Sequence, residues 1–315
     1  MPYHINSDIV NLINSDKVFL LKKTLFTYFT GGLFMQKIAI LTDSSSDLTP
    51  ELLKEYNIYS APFRIIYSDK EFEDGVTITP DELFKSLEKE IPTTSLPSVE
   101  KIDSIFSTLE KEGYTHVIAV LISSQFSGTW NSVRLIAEDH PNLTTHVFDS
   151  KTLTMAQGAI ALSAAKLAKE GKSFEEIVAT LEPKRALTQT FFIIDTLEYL
   201  QRGGRIGKVA GTIAEFLNIK PLITVDPDGT FRTYAKIRGK KQAINKLKEI
   251  ASEYLAKGKC NFWVMDGANK VEGDNLFNAI KDLDNVNEMH RGIIGPALSL
   301  NTGPGLIGFI VEEVK

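Results

Sequence analysis

A single cysteine, Cys260, in 315 residues leaves no intramolecular disulfide to form, which fits a reducing compartment and makes a cytoplasmic location the expectation. Its setting, "KCNFWVMD", reads as a buried strand, where a thiol is inert. Histidine is also scarce. The five present (His4, His116, His140, His146 and His290) show no H-x-x-x-H spacing, and there is no C-x-x-C, so no metal or cofactor is expected. Basic charge is not in excess: 35 Lys and Arg against 40 Asp and Glu give a net charge of −5, which excludes a general nucleic-acid surface. Long apolar runs are missing too. "VFLLKKTLFTYFTGGLF", 18–34, is interrupted by Lys22 and Lys23, is too short for a bilayer and lacks an A-x-A cleavage site. No integral membrane segment is expected, only transient membrane contact at most.

What is there is globular in character, 43% apolar and 24% charged, with length for one large domain or two. Met35 opens "MQKIAILTDSSSDL", a clean first strand and turn. Gly31–Phe34 can be encoded as a purine-rich ribosome-binding site with a short spacer, so residues 1–34 read as translated leader and Met35 as the native start.

From Met35 strands and helices alternate. Thr49–Tyr56 reads as a helix with a Thr-Pro start, "NIYSAPFRIIYS" as one strand and "DKEFEDG" as a hairpin-like excursion. Thr79 and Glu82 form a capping-box pattern around Pro80. Helices over 99–112, 128–139 and 154–169 separate the strands "HVIAVLI" and "THVFDS". This order predicts an α/β fold whose N-terminal domain, 35–184, holds a mainly parallel, doubly wound sheet. Near Pro183 the character changes. Extended runs at 186–195 and 220–237, "CNFWVMD" and "MHRGIIG", with Asp228-Gly229 as a hairpin turn, predict an antiparallel or mixed sheet. With helices at 239–257 and 270–282 they form an α+β C-terminal domain, 185–315.

Familiar motifs fail. "QRGGRIGKVAG" has Arg202 and Val209 where a Walker A loop needs Gly and Ser or Thr, and no G-x-G-x-x-G occurs. "SSQFSGTW" has Gln125 where a nucleophile elbow needs glycine, and no histidine is placed as base for Ser127. Ser127 is then a hydrogen-bond donor beside the Gly128 amide at a helix start, or a plain N-cap. "PTTSLPS" presents Thr94 and Ser95 from a loop, and "TDSSSD" and "FDSKTLTMAQG" repeat the theme. Hydroxyl-rich loops after strands, without a base or metal, suit holding a small polar group rather than cleaving a bond.

The blocks "ILTDSSSDL", "TTSLPS", "SSQFSGTWNS", "DSKTLTMAQG", "LEYLQRGGRIGK", "IKPLI", "KIRGKKQAI" and "NTGPG" come in an order and spacing that resembles the DegV family of bacterial fatty-acid-binding proteins. The resemblance runs from Met35 to the end, and residues 1–34 have no counterpart. It implies two domains holding one long-chain fatty acid, in a subunit that is not itself an enzyme. A separate ATP-binding fatty-acid kinase subunit would phosphorylate the acyl carboxylate to acyl-phosphate for phospholipid synthesis. The carboxylate contacts carry over to Thr94 and Ser127. Arg205 and Arg238 carry over to partner docking or phosphoryl transfer, both expected on one exposed rim. A DegV-type paralogue that stores or senses fatty acid without phosphorylation is the second reading.

Burying about sixteen carbons yields roughly 10 kcal/mol before ordering costs, so the head group needs only to be oriented. Two departures stand out. Asp266 replaces one frequent family histidine. Asn301 replaces the histidine before the "xGPG" turn, so a fixed amide stands where the family has a titratable ring. The glycines of that turn are expected to let the backbone approach the ligand.

Overall fold

The computed structural model describes residues 36–215 and 219–315; the leader expected over 1–34 lies outside the described residues. The first sheet is built from β1 (Ile38–Asp43), β2 (Ile58–Ala61), β6 (His116–Leu121) and β7 (Thr144–Asp149) in the order β2-β1-β6-β7, all parallel. Alternation along these strands decides what lies on each face. Ala39, Leu41, Val117, Ala119 and Leu121 point to α3 (Val99–Lys111) and α4 (Thr129–Glu138). Ile40, Ile118 and Val120 point the other way, towards α5 (Thr154–Lys169). Both faces are covered, which is why the central strands β1 and β6 are apolar over most of their length while the edge strand β7, TTHVFD, is not.

The second sheet has six strands in the order β10-β9-β8-β13-β11-β12. These are β8 (Thr188–Ile193), β9 (Ile219–Val225), β10 (Phe231–Arg238), β11 (Cys260–Gly267), β12 (Val286–Ile293) and β13 (Leu306–Glu313). Only β11 and β12 pair parallel, so the sheet is mixed. One face, with Phe191, Phe262 and Phe309, packs under α8 (Lys240–Leu255) and α9 (Lys270–Ile280). The opposite face, with Phe192, Ile223, Met265 and Ile310, joins the α5 side of the first sheet in one core. Residues Ile38–Lys315 form one compact unit in which the two larger sheets share a core. The α/β architecture is the one expected.

Three local expectations are corrected. "NIYSAPFRIIYS" is not one strand. Pro62 has no N–H for a ladder, and the chain leaves β2 there to enter β3 (Arg64–Ile66) of a separate three-stranded sheet, β4-β3-β5. β4 is Glu71–Glu73, the hairpin partner of β3. The supposed loop around Thr94 is β5 (Thr93–Ser95), pairing Thr94 with Ile65; three residues are too few to show a period. A helix also escaped notice. α6 (Phe174–Ala186) starts with a Ser173/Glu176 capping box and carries Pro183 inside it, which reads in sequence as a break.

Other signals hold. Thr79 and Glu82 close a capping box on α2 (Pro80–Ser86). Asp228-Gly229 turns β9 into β10 with Gly229 at φ 90°. Cys260 is buried, and burial raises its thiol pKa. Among the described residues no helix is long and apolar enough to cross a membrane.

Candidate functional site

The β9–β10 hairpin is drawn onto the end of β6. Ser123 Oγ donates to the Gly229 carbonyl at 2.9 Å, and any Cβ at 229 would collide with that hydroxyl. The approach brings Phe231 against Phe126, ring centroids 4.3 Å apart, while Phe192 meets the other side of Phe231 at 5.3 Å. This aromatic row leads from the loop after β6 to the inner face of the second sheet.

Two cavities lie along it. The first is lined by Thr94, Ser127, Arg205 and Asn301 together with Ser45 and apolar side chains. The second is walled almost wholly by apolar residues of β8, β13 and neighbouring elements. Leu153, Phe231, Leu298 and Thr302 line both. A polar mouth therefore adjoins an apolar chamber.

Each mouth residue arrives from a different element. Thr94 comes from β5. Ser127 precedes α4; its Oγ accepts from Thr129 N at 3.3 Å and lies 2.8 Å from Thr129 Oγ1, so it also braces the helix start. Arg205 follows α7 (Glu198–Arg202) and a Gly203-Gly204 turn. Its Nε donates to Phe126 O at 3.1 Å and its Nη1 to Gly203 O, which fixes the guanidinium at the cavity wall. Asn301 stands in the last turn of α10 (Pro296–Thr302) and donates through Nδ2 to Ala297 O at 2.9 Å. Its Oδ1 rests on Gly203, where a Cβ would collide with it.

Sequence reasoning thus named four groups that meet in one cavity. It placed others elsewhere. Ser95 accepts from Arg64 Nη2 at 3.0 Å, and neither it nor Gly128 lines the mouth. Arg238 is exposed at the end of β10 and is not among the residues lining the cavity that Arg205 lines. The turn glycines make room for protein groups: a Cβ at Gly303 would strike the Tyr199 ring, and one at Gly305 the Asp195 carboxylate. Asp266 is buried and pairs with Arg291 while accepting from Asn269 N at 2.8 Å.

Ser45 was passed over, although it sits within the quoted "TDSSSD". Its Oγ lies 2.5 Å from Asp43 Oδ1 and 3.0 Å from Gln157 Oε1. Gln157 Nε2 donates to Thr42 Oγ1 at 3.0 Å, so Oε1 must be the atom facing Ser45. Asp43 also accepts from Ser45 N at 3.1 Å and Ile122 N at 2.9 Å, and burial raises its pKa. The mouth is therefore backed by a buried hydrogen-bonded network of Asp43, Ser45, Gln157 and Thr42.

A roomier cleft lies between α1 (Pro50–Glu55), α5 and the β11–β12 edge. Of its cations, Lys184 pairs with Glu312 and Arg291 with Asp266, and Lys166 Nζ stands 5.8 Å from the Tyr56 ring centroid. Among the described residues no cluster of His, Cys, Asp or Glu is arranged to hold a metal ion.

The DegV family model, described as that of an uncharacterised protein family, matches residues 37–314. A DegV domain-containing protein of Clostridium acetobutylicum is 44% identical over 277 residues, covering 88% of this chain and 99% of its own. A DegV family protein of Thermus thermophilus, described as fatty-acid-binding, superposes with TM-score 0.82 at 29% identity, over 89% of this chain and 100% of its own. A stearic-acid-binding protein of Eubacterium ventriosum superposes with TM-score 0.79 at 31% identity, over 89% and 98%.

Proposed function

The chain belongs to the DegV family, and from that premise we propose that it binds a long-chain fatty acid and presents the carboxylate to a separate ATP-dependent kinase subunit, which forms the acyl-phosphate. The observation that carries the reading is the polar mouth adjoining an apolar chamber. A fatty acid has the same two-part chemistry. Its tail supplies the affinity, at about 0.8 kcal/mol per buried methylene. Thr94, Ser127 and Asn301 orient the head group, and among the described residues Arg205 supplies the cation lining the mouth. With Nε and Nη1 committed to carbonyls, Arg205 has Nη2 left for a carboxylate oxygen. Arg238, exposed and away from the mouth, is the residue of the two suited to partner docking.

The second reading, storage or sensing without phosphorylation, draws on Asn301, whose amide cannot carry a proton. Two experiments decide. Lipid extracted from protein purified out of a bacterial host should contain about one long-chain fatty acid per chain, read by mass spectrometry. A stoichiometric nucleotide or sugar with no lipid would sink the reading. Acyl-phosphate formation with the ATP-binding subunit separates presentation from storage.

A further inference from the structure

Among the described residues, Met265 alone lines both the apolar chamber and the outer cleft beside α1 and α5. It is buried on the inner face of β11 and packs with Trp263 in the central core. The ladder shows why it stands apart. Phe192 of β8 pairs with Gly308 of β13, Gly308 with Met265, and Met265 with Gly292 of β12, the edge strand. Residues paired in register point to one face of the sheet, so this rung carries side chains at Phe192 and Met265 and none between or beyond them. Gly308 has no room for one, since a Cβ there would strike Phe191 O and Phe192. At Gly292 the space is taken by Met265 itself: a Cβ would lie 2.7 Å from its Sδ and 2.9 Å from its Cε. The thioether thus rests over Gly292, which lines the cleft, while Gly308 on its other side lines the chamber. Across from it Thr154 lines the chamber and its hydrogen-bond partner Asp47 the cleft, a contact fixed in turn by Gly295 N. In this partition the unbranched, adaptable methionine is the part that can yield.

We infer that Met265 is the end stop of the acyl chamber and a determinant of chain length, and that the outer cleft takes the end of any tail that passes it. The inference rests on the proposed fatty-acid binding. Leu153, Phe231, Leu298 and Thr302 join the chamber to the polar mouth, so a chain whose carboxylate is held there enters past them. Met265 borders the same chamber where it meets the cleft. Past it, Met155, Ala159 and Leu162 of α5, with Trp263, offer further apolar surface before the exposed rim of Glu288 and His290. A tail that ends within the chamber leaves the thioether on Gly292. A longer one has to displace it, and loses affinity by doing so.

The test measures binding of palmitic, stearic, arachidic and behenic acids, in order of length, to delipidated protein. The wild type should bind behenic acid more weakly than stearic acid. Met265→Ala opens the partition and should raise the ratio of behenic to palmitic affinity by about tenfold or more, since each methylene newly buried is worth about fourfold. Met265→Leu, which keeps the bulk, should retain the wild-type order. Should Met265→Ala fail to fold, Gly292→Ala carries the test: its methyl group pushes the thioether off its seat and towards the chamber, so the ratio should fall instead of rise. An unchanged ratio in the folded variant, or a wild type that binds behenic acid as tightly as stearic acid, overturns the inference and leaves fatty-acid binding intact. Failure of the wild type to bind any of the four acids overturns the proposed function and this inference with it.

Discussion

Asp47 and Thr154 hold one another in the left-handed region of the backbone. Each has φ 52°, and Thr154 Oγ1 donates to Asp47 Oδ2 at 2.5 Å. For a β-branched residue that conformation is strained by about 1–3 kcal/mol, so the surrounding contacts must impose it. The other oxygen of Asp47 accepts from Gly295 N at 2.8 Å, and Asp74 Oδ1 accepts from Ala297 N at 3.0 Å. Two carboxylates from the N-terminal half thus grip the start of α10, the helix that carries Leu298 and Asn301 into the site.

The grip is sensitive to pH. Burial, the largest influence, raises the Asp47 pKa to about 8 and the Asp74 pKa to about 6. The folded state therefore holds protons that the unfolded chain, with a carboxylate pKa of about 3.9, has released. This contribution is fully present below about pH 4 and is lost as pH rises towards the folded values. Between pH 6 and 8 the loss falls mainly on Asp47. The melting temperature should fall over that interval, and Asp47→Asn should flatten the fall. An equal slope in the variant would mean that Asp47 does not titrate in the folded protein.

Thr94 and Ser127 meet at the mouth from different elements, so their joint replacement tests the head-group assignment. The double alanine variant should lose kinase-coupled acyl-phosphate formation by about 100-fold, as misplacement of a reacting group does. Fatty-acid content should fall less, because the tail supplies most of the affinity. Ser127 also braces Thr129, so a circular dichroism melt is needed to confirm the fold. Unimpaired coupling in a folded double variant would refute the site.

Arg205 and Arg238 should behave differently. Losing a charge-assisted hydrogen bond to the carboxylate, roughly 1.5–3 kcal/mol, predicts that Arg205→Ala weakens fatty-acid binding about 10- to 100-fold. The same variant should scarcely change binding of the methyl ester, which offers no carboxylate. Arg238→Ala should leave lipid binding unchanged and lower coupling with the partner subunit. Equal losses for acid and ester would make Arg205 a wall of the cavity and nothing more.

How much of this could be read from sequence differs by residue. The parallel sheet was legible because both of its faces are covered, so a central strand such as "HVIAVL" is apolar at every position from Val117 to Leu121. Thr94, Ser127 and Asn301 were legible through their motifs. Their convergence was not, because it depends on long-range contacts such as that between Ser123 and Gly229. Pro183 concealed a helix, and Pro62 a change of sheet.

Asn301 allows the sharpest test of mechanism. Its Nδ2 is committed to Ala297 O, and its Oδ1 lies over Gly203, where no side chain competes. The amide has no proton to exchange near neutrality, so kinase-coupled activity should vary little between about pH 6 and 8 on account of this position. Asn301→His keeps a hydrogen-bonding group and adds an unperturbed pKa of about 6.5. A pH dependence should then appear in that window, with a higher rate if the imidazole assists the carboxylate. Gly203→Ala is the structural control: it displaces Asn301 Oδ1 without adding a titratable group, so it should lower activity at every pH alike. If Asn301→His alters neither rate nor profile, the residue only caps its own helix through Ala297, and the histidine-to-asparagine departure has no bearing on phosphoryl transfer.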